Sequence, residues 1–320
     1  MLPYSKFVGA PGPNFFLAGA PKAGTTALYR YLDQHPAIYM SPIKEPHFFA
    51  DEIRLENFAD DFRRMAEARL PAQREYLAGP VSEKFSGGPI DNWTDYLRLF
   101  RGVKQQTAIG EASACYLWSQ SAPGNIQARI PDAKILMMLR NPIERAFSQY
   151  AHMLSFAKSH LSFSEYIHAA LASKSTQISE LYPFLLFGLY AEQVERWLVG
   201  FGRARVQIHL YEDFCREPLD VMRSIFEFLG VDAAFTPDFA ERHMEAKVPR
   251  SFRLKNMVKR SGIWNALPEA VRGPVRRVAF EPRKSIGLAH ADRARLADYY
   301  RDNIRKLSAL LGRDMDHWLV

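Results

Sequence analysis

Along the chain, short apolar runs alternate with stretches of helical apolar spacing. Phe15–Ala18 is an uninterrupted apolar run. After the turn Gly19–Gly24, the residues Ala27, Leu28, Tyr31 and Leu32 recur at the spacing of one helix face, until His35-Pro36 ends it. Ala37–Met40 and Thr107–Gly110 read as further strands, and Trp93–Phe100 and Gly124–Ile130 as helices. Leu55–Leu77 predicts one or two surface helices, and Gly79–Pro89 a polar break. Ile135–Leu139 is wholly apolar, as expected of a central parallel strand buried on both faces. Asn141-Pro142-Ile143-Glu144 then carries an Asn cap, Pro at the first helical position and a Glu placed to answer the cap, and the helix runs on through Leu154. Phe163–Leu171, Leu189–Trp197 and Pro218–Leu229 predict helices, the last closed by Gly230. Arg205–Leu210 predicts a strand ending at Tyr211-Glu212-Asp213, and Arg293–Leu311 a final amphipathic helix. The alternation implies an α/β fold: a P-loop-like, three-layer arrangement with a central, mostly parallel sheet flanked by helices, in a single domain over residues 1–320. Residues 1–13 read as a flexible N-terminal segment, and the Pro-punctuated basic stretch 241–290 as a loop or lid.

The turn after the first strand carries the first chemistry. A glycine-bounded turn between strand and helix aims free backbone N–H groups and the positive end of the helix dipole at one point, which makes a phosphate site. A nucleotide-hydrolysing P-loop places Lys after the second glycine. Here Lys22 sits inside the loop, Thr25 takes the usual lysine position, and Thr26 follows, with no residue that reads as a metal anchor. A tight turn capped by Thr is the plainer alternative, but it does not need the strand, the lysine and the paired threonines together.

Arg140 ends a central strand, where ligands of open α/β sheets gather, and Ser148 follows two helical turns later. A guanidinium and a hydroxyl so placed can share one phosphate, the arginine in bidentate fashion. The alternative is a sheet-edge salt bridge and a filler serine. His152 shares a helix face with Ser148. Glu45 follows Lys44 in a loop pinned by Pro46 and by His47-Phe48-Phe49, and a carboxylate there can take a proton from an attacking hydroxyl or amine while Lys44 offsets developing charge. Glu111, at another strand end, is a second carboxylate placed for substrate contact.

At 320 residues, 48% hydrophobic and 24% charged, the chain can bury a full core. Its formal charge of +7 suits an anionic ligand, but the basic residues are scattered rather than interleaved with aromatics as in a base-stacking groove, which speaks against nucleic acid. Cys115 and Cys215 are two cysteines far apart, neither a metal cluster nor a disulfide framework, which favours a reducing compartment. No stretch reaches the roughly 18 apolar residues of a membrane span, and none reads as a signal sequence, so the expectation is a soluble cytoplasmic protein.

The segments PKAGTT, KEPHFF, GEASACY, LRNPIERAFSQYAH, YEDF-x-x-x-P and LADYYRDNIRKLSALLGRDMDHWL together resemble the sulfotransferases that use 3′-phosphoadenosine-5′-phosphosulfate (PAPS), especially the branch of heparan sulfate N- and 3-O-sulfotransferases and their bacterial relatives. The resemblance runs from about Phe15 to the C-terminus. It implies that Lys22, Ala23, Gly24, Thr25 and Thr26 hold the 5′-phosphosulfate without a metal, and that Arg140 and Ser148 hold the 3′-phosphate. It further implies that Glu45 is the base and that Lys44, Lys22 and His152 stabilise charge on the transferred and leaving groups, with Tyr211 on the adenine side. The implied product is adenosine 3′,5′-bisphosphate (PAP), and the implied acceptor a carbohydrate or small metabolite bearing a hydroxyl or amine. The chain lacks the disulfide-bounded K-G-R loop that covers the cofactor in the animal enzymes. Lys247-Val248-Pro249-Arg250-Ser251, with Arg250 as the cofactor contact, or Arg283-Lys284 are the candidate substitutes. The rival readings are a P-loop nucleotide kinase, which requires metal and ATP, and a non-catalytic nucleotide- or nucleic-acid-binding module.

Overall fold

A computed structural model of the chain describes residues 11–81, 83–155, 161–179, 181–240, 247–249, 280–282 and 287–320. Its centre is a five-stranded, wholly parallel sheet in the order β2-β3-β1-β4-β5. The strands are β1 (Phe15–Gly19), β2 (Ile38–Met40), β3 (Ala108–Ala112), β4 (Lys134–Leu139) and β5 (Val206–Leu210). Every residue of β1 and β3, and every residue of β4 after Lys134, is buried, so the sheet is covered on both faces. That is why β1, and β4 after Lys134, are continuous apolar runs rather than alternating ones.

The covering helices are α1 (Thr25–Asp33), α2 (Asp60–Glu67), α3 (Leu70–Ala78), α4 (Trp93–Arg98), α5 (Ala122–Arg129), α6 (Pro142–Ser155), α7 (Phe163–Ala172), α8 (Tyr190–Phe201), α9 (Tyr211–Arg216), α10 (Pro218–Leu229) and α11 (His290–Leu311). The strand expected to end at Tyr211-Glu212-Asp213 passes directly there into α9, a six-residue helix. Asn141 caps α6 as its sequence requires, its side-chain oxygen accepting the N–H of Ile143 at 2.9 Å and of Glu144 at 3.4 Å. Glu144 does not answer the cap; its carboxylate pairs with Arg293 and so ties α6 to α11. Among the described residues no helix is long and apolar enough to cross a membrane.

A two-stranded antiparallel ribbon, β6 (Lys247–Pro249) and β7 (Phe280–Pro282), lies beside α6. Its register sets Lys247 opposite Pro282. Lys247-Val248-Pro249, the start of the first candidate basic segment, therefore lies on this ribbon. Arg250, Ser251, Arg283 and Lys284 themselves lie outside the described residues, as do residues 1–10 of the expected flexible segment.

Candidate active site

The strand order places the carboxyl ends of β3, β1 and β4 side by side, and each delivers one part of a site. From β1 the chain enters the glycine-bounded loop. Ala20 N–H bonds to Met138 of β4 at 2.9 Å, Ala23 N–H closes back on Ala20 at 3.1 Å, and Gly24 sits at φ 83° as the N-cap of α1. No side chain caps this helix, and its first helical bond runs from Leu28 N–H to Gly24 at 3.1 Å. The first-turn N–H groups of Thr25, Thr26 and Ala27 are thus left for an anion. Lys22 also adopts positive φ, at 71°.

Gly24 is required twice over. Its φ is left-handed, and a Cβ there would stand 2.8 Å from the ring of Tyr211. Gly202 has a similar φ of 75° but open space around it. Gly24→Ala is therefore expected to lower stability by about 1–3 kcal/mol, and Gly202→Ala by less, since only the first adds a clash to the strain. Thermal melts of the two variants check this; equal losses would contradict it.

From β4 comes Arg140. Its Nη1 donates to the Lys22 carbonyl at 2.9 Å, and its guanidinium lies over the Tyr211 ring, 4.7 Å from the centroid. The backbone here is held from three directions: Tyr190 OH donates to the Arg140 carbonyl at 2.8 Å, Glu212 accepts the Asn141 N–H at 2.9 Å, and the Asn141 amide donates to the Trp318 carbonyl at 3.1 Å. Ser148 is buried on α6, and its hydroxyl bonds to no described residue. His152, one turn on, is half-buried. Loop, arginine, tyrosine and the two α6 side chains that the sequence singled out therefore belong to adjoining elements at one edge of the sheet.

Against the end of β3 lies the loop of Lys44 and Glu45. Glu45 N–H bonds to the Ala112 carbonyl at 2.8 Å, and Glu45 Oε2 accepts the Ala114 N–H at 2.8 Å. Lys44 Nζ donates to Glu45 Oε1 at 2.5 Å. Burial pushes the Glu45 carboxyl up, but the Lys44 charge, His47 and the two hydrogen bonds outweigh it and hold the group below the usual carboxylate range. Glu45 is thus an ionised acceptor of protons, and the nearest partner of Lys44 is that carboxylate. Glu45 and His47 both take positive φ, 65° and 56°, a strain of about 1–3 kcal/mol each for residues other than glycine.

His47, read from the sequence only as part of the loop's apolar anchor, faces the site. Its Nδ1 lies 2.9 Å from Cys115 Sγ and 3.8 Å from Glu45 Oε2, and burial holds the imidazole below its ordinary value, hence neutral near pH 7. Cys115 stands 68 residues away in the chain, and no local pattern announces it. Glu111 corrects an expectation: it is fully buried and accepts from Ser113 Oγ at 2.5 Å, Tyr116 OH at 2.9 Å and Tyr96 OH at 3.0 Å, so it does not face substrate.

Lys44, Glu45 and His47 form one end of an open cleft of about 380 Å³. Phe58, Phe62, Met65 and Ala66 give it an apolar wall, Ser86–Pro89 a backbone-rich one, and Arg69 a cationic rim. The Arg69 guanidinium pairs with no described residue.

Comparison with known proteins bears on this geometry. A family model described as "Sulfotransferase family" matches residues 13–237. The chain is 30% identical over 314 residues to the bifunctional heparan sulfate N-deacetylase/N-sulfotransferase 3 of Homo sapiens, covering 96% of this chain and 31% of that protein. It is 28% identical over 261 residues to carbohydrate sulfotransferase 15 of Rattus norvegicus, covering 68% of this chain and 44% of that one. The chain thus spans less than half the length of these relatives. Among solved structures, the sulfotransferase from Alicyclobacillus acidocaldarius superposes with a TM-score of 0.70 at 30% identity, over 96% of this chain and 99% of that one.

Proposed function

The chain belongs to the sulfotransferase family, and we propose that it moves a sulfonyl group from PAPS to a hydroxyl or amine of an acceptor, releasing PAP. When bound, PAPS supplies a sulfonyl group already activated by a phosphate leaving group. The residues present fit such a bis-phosphorylated nucleotide. The uncapped N-terminus of α1 and Lys22 suit the 5′ end, while Arg140 and the buried, unengaged hydroxyl of Ser148 suit the 3′-phosphate, with Tyr211 beside them on the adenine side. His152, one turn beyond Ser148, donates a hydrogen bond toward the leaving group.

The observation that carries the reading is an ionised carboxylate, Glu45, at the wall of a cleft and beside the end of the strand next to the anion-binding loop. Glu45 takes the acceptor's proton as the acceptor attacks sulfur, and Lys44 offsets charge at the same place. Catalysis is positioning plus electrostatics: the rigid strand ends hold both partners, and no residue of the chain forms a bond to the sulfonyl group.

The cleft beyond Glu45 takes the acceptor. The bridge between Phe58 and Ile178, with Ala59 N–H bonded to Ile178 at 2.9 Å, ties its wall to the loop before α8. The names of the relatives favour a carbohydrate, and Arg69, which pairs with no described residue, favours one bearing an acidic group. Sulfonyl transfer should be assayed as PAP release in the presence of a chelator, with acidic and neutral saccharides as acceptors. Arg69→Gln is expected to raise KM for the acidic acceptor about tenfold, the scale of one charge-assisted hydrogen bond. No transfer to any hydroxyl or amine acceptor, or transfer only with ATP and magnesium, would overturn the reading.

A further inference from the structure

We propose that Glu111 is a positioning residue for Glu45: its carboxylate, through the hydroxyls of Ser113 and Tyr116, holds the backbone of the 44–49 loop in the conformation that presents Glu45 to the acceptor. This rests on the reading of Glu45 as the base. Each hydroxyl works as a relay. Ser113 Oγ donates to Glu111 at 2.5 Å and accepts the His47 N–H at 3.0 Å. Tyr116 OH donates to Glu111 at 2.9 Å and accepts the Phe49 N–H at 3.2 Å. One buried carboxylate on β3 therefore orients both hydroxyls so that their lone pairs meet two N–H groups of the loop. These two bonds bracket His47 and follow Glu45, the two residues held at positive φ. Two further ties to this segment, Glu45 N–H to the Ala112 carbonyl and Ala114 N–H to the Glu45 carboxylate, hold the loop at Glu45 itself, ahead of these two bonds. A strained conformation persists only where its surroundings over-determine it, and Glu111 is the common anchor of those surroundings.

An ionised carboxylate accepts from all three hydroxyls at once, whereas a protonated one must donate to one of them, and donation to Ser113 or Tyr116 turns that hydroxyl away from the loop. The groups facing Glu111 are Tyr96 from α4, Ser113 and Tyr116 from the segment after β3, and the charge of Glu45 from the loop, with the Cys115 thiol nearby. Burial pushes Glu111 up to about 7, the three hydroxyls opposing and Glu45 adding to the rise. Its folded value lies above the ordinary one, so its contribution to stability is full at low pH and is lost as pH rises through about 7. Activity should move the other way, rising as Glu111 ionises. A residue that merely stabilised the fold would move both in the same direction.

The test is Glu111→Gln, with the milder Ser113→Ala beside it in case the first variant does not fold, each made in the wild-type and Glu45→Gln backgrounds. Expected in the wild-type background is a fall in kcat of about ten- to a hundredfold, the scale of a small misplacement of a catalytic group. KM for PAPS and PAP affinity by calorimetry should hold, and the rise of kcat through neutral pH should disappear. In the Glu45→Gln background the further loss should be less than about threefold, because groups acting as one unit are not additive. The same loss in both backgrounds, weakened PAP binding or an unchanged kcat would overturn the proposal. If Glu45→Gln alone leaves kcat intact, it is the assignment of the base that fails, which is a distinct result.

Discussion

Replacing Glu45 with glutamine is expected to lower kcat for sulfonyl transfer by about two to four orders of magnitude, the usual worth of a positioned general base. Affinity for PAP should be unchanged. Glutamine keeps the shape and can still accept the Ala114 N–H, so the loop retains the bond that places residue 45 on the cleft wall. What it loses is the basic oxygen and the partner of Lys44. Glu45 is held below the usual carboxylate range, so it is ionised throughout neutral pH, and the wild-type rate should show no limb from this group there. Steady-state kinetics with saturating PAPS, paired with a PAP titration of the variant, separates chemistry from binding. A variant that binds PAP normally and turns over at the wild-type rate would remove Glu45 from the mechanism.

Arg140→Ala is expected to weaken PAP binding by about a hundred- to a thousandfold, as befits a lost bidentate guanidinium–phosphate contact of about 3–4 kcal/mol. Binding of 5′-AMP, which lacks the 3′-phosphate, should fall much less. The substitution also removes the bond to the Lys22 carbonyl and the contact with the Tyr211 ring, both at partly exposed residues, so the fold should lose little. Arg140→Lys should recover only part of the affinity, because an ammonium neither bridges two phosphate oxygens nor stacks on the ring in the same way. Equal losses for PAP and 5′-AMP would place Arg140 elsewhere than at the 3′-phosphate.

How far the sequence alone reached follows from how local each signal is. The loop after β1, the buried strand β4 and the Asn-Pro start of α6 were legible because each is encoded within a few neighbouring residues. The same holds for Pro218–Leu229 with Gly230, whose bounds the structure reproduces. Glu144 was misread as an answering cap because its true partner, Arg293, lies on a helix 149 residues away. Glu111 was misread for a similar reason. A carboxylate at a strand end looks exposed until Tyr96, Ser113 and Tyr116 are seen to enclose it, and two of those read as ordinary core aromatics. His47 was hidden in an apolar run, its contact with Cys115 created only by laying the loop along the end of β3. The shape of the cleft was not legible, since its wall depends on how α2 and the 86–89 turn stand against Lys44 and Glu45.

Whether the site is built for a 3′-phosphorylated nucleotide is tested by calorimetric titration of PAP into the metal-free protein, with 5′-AMP and ATP–magnesium as comparisons. Tight binding of PAP is expected, with a sharp drop when the 3′-phosphate is absent. A preference for ATP–magnesium, or no binding of any of the three, would contradict it.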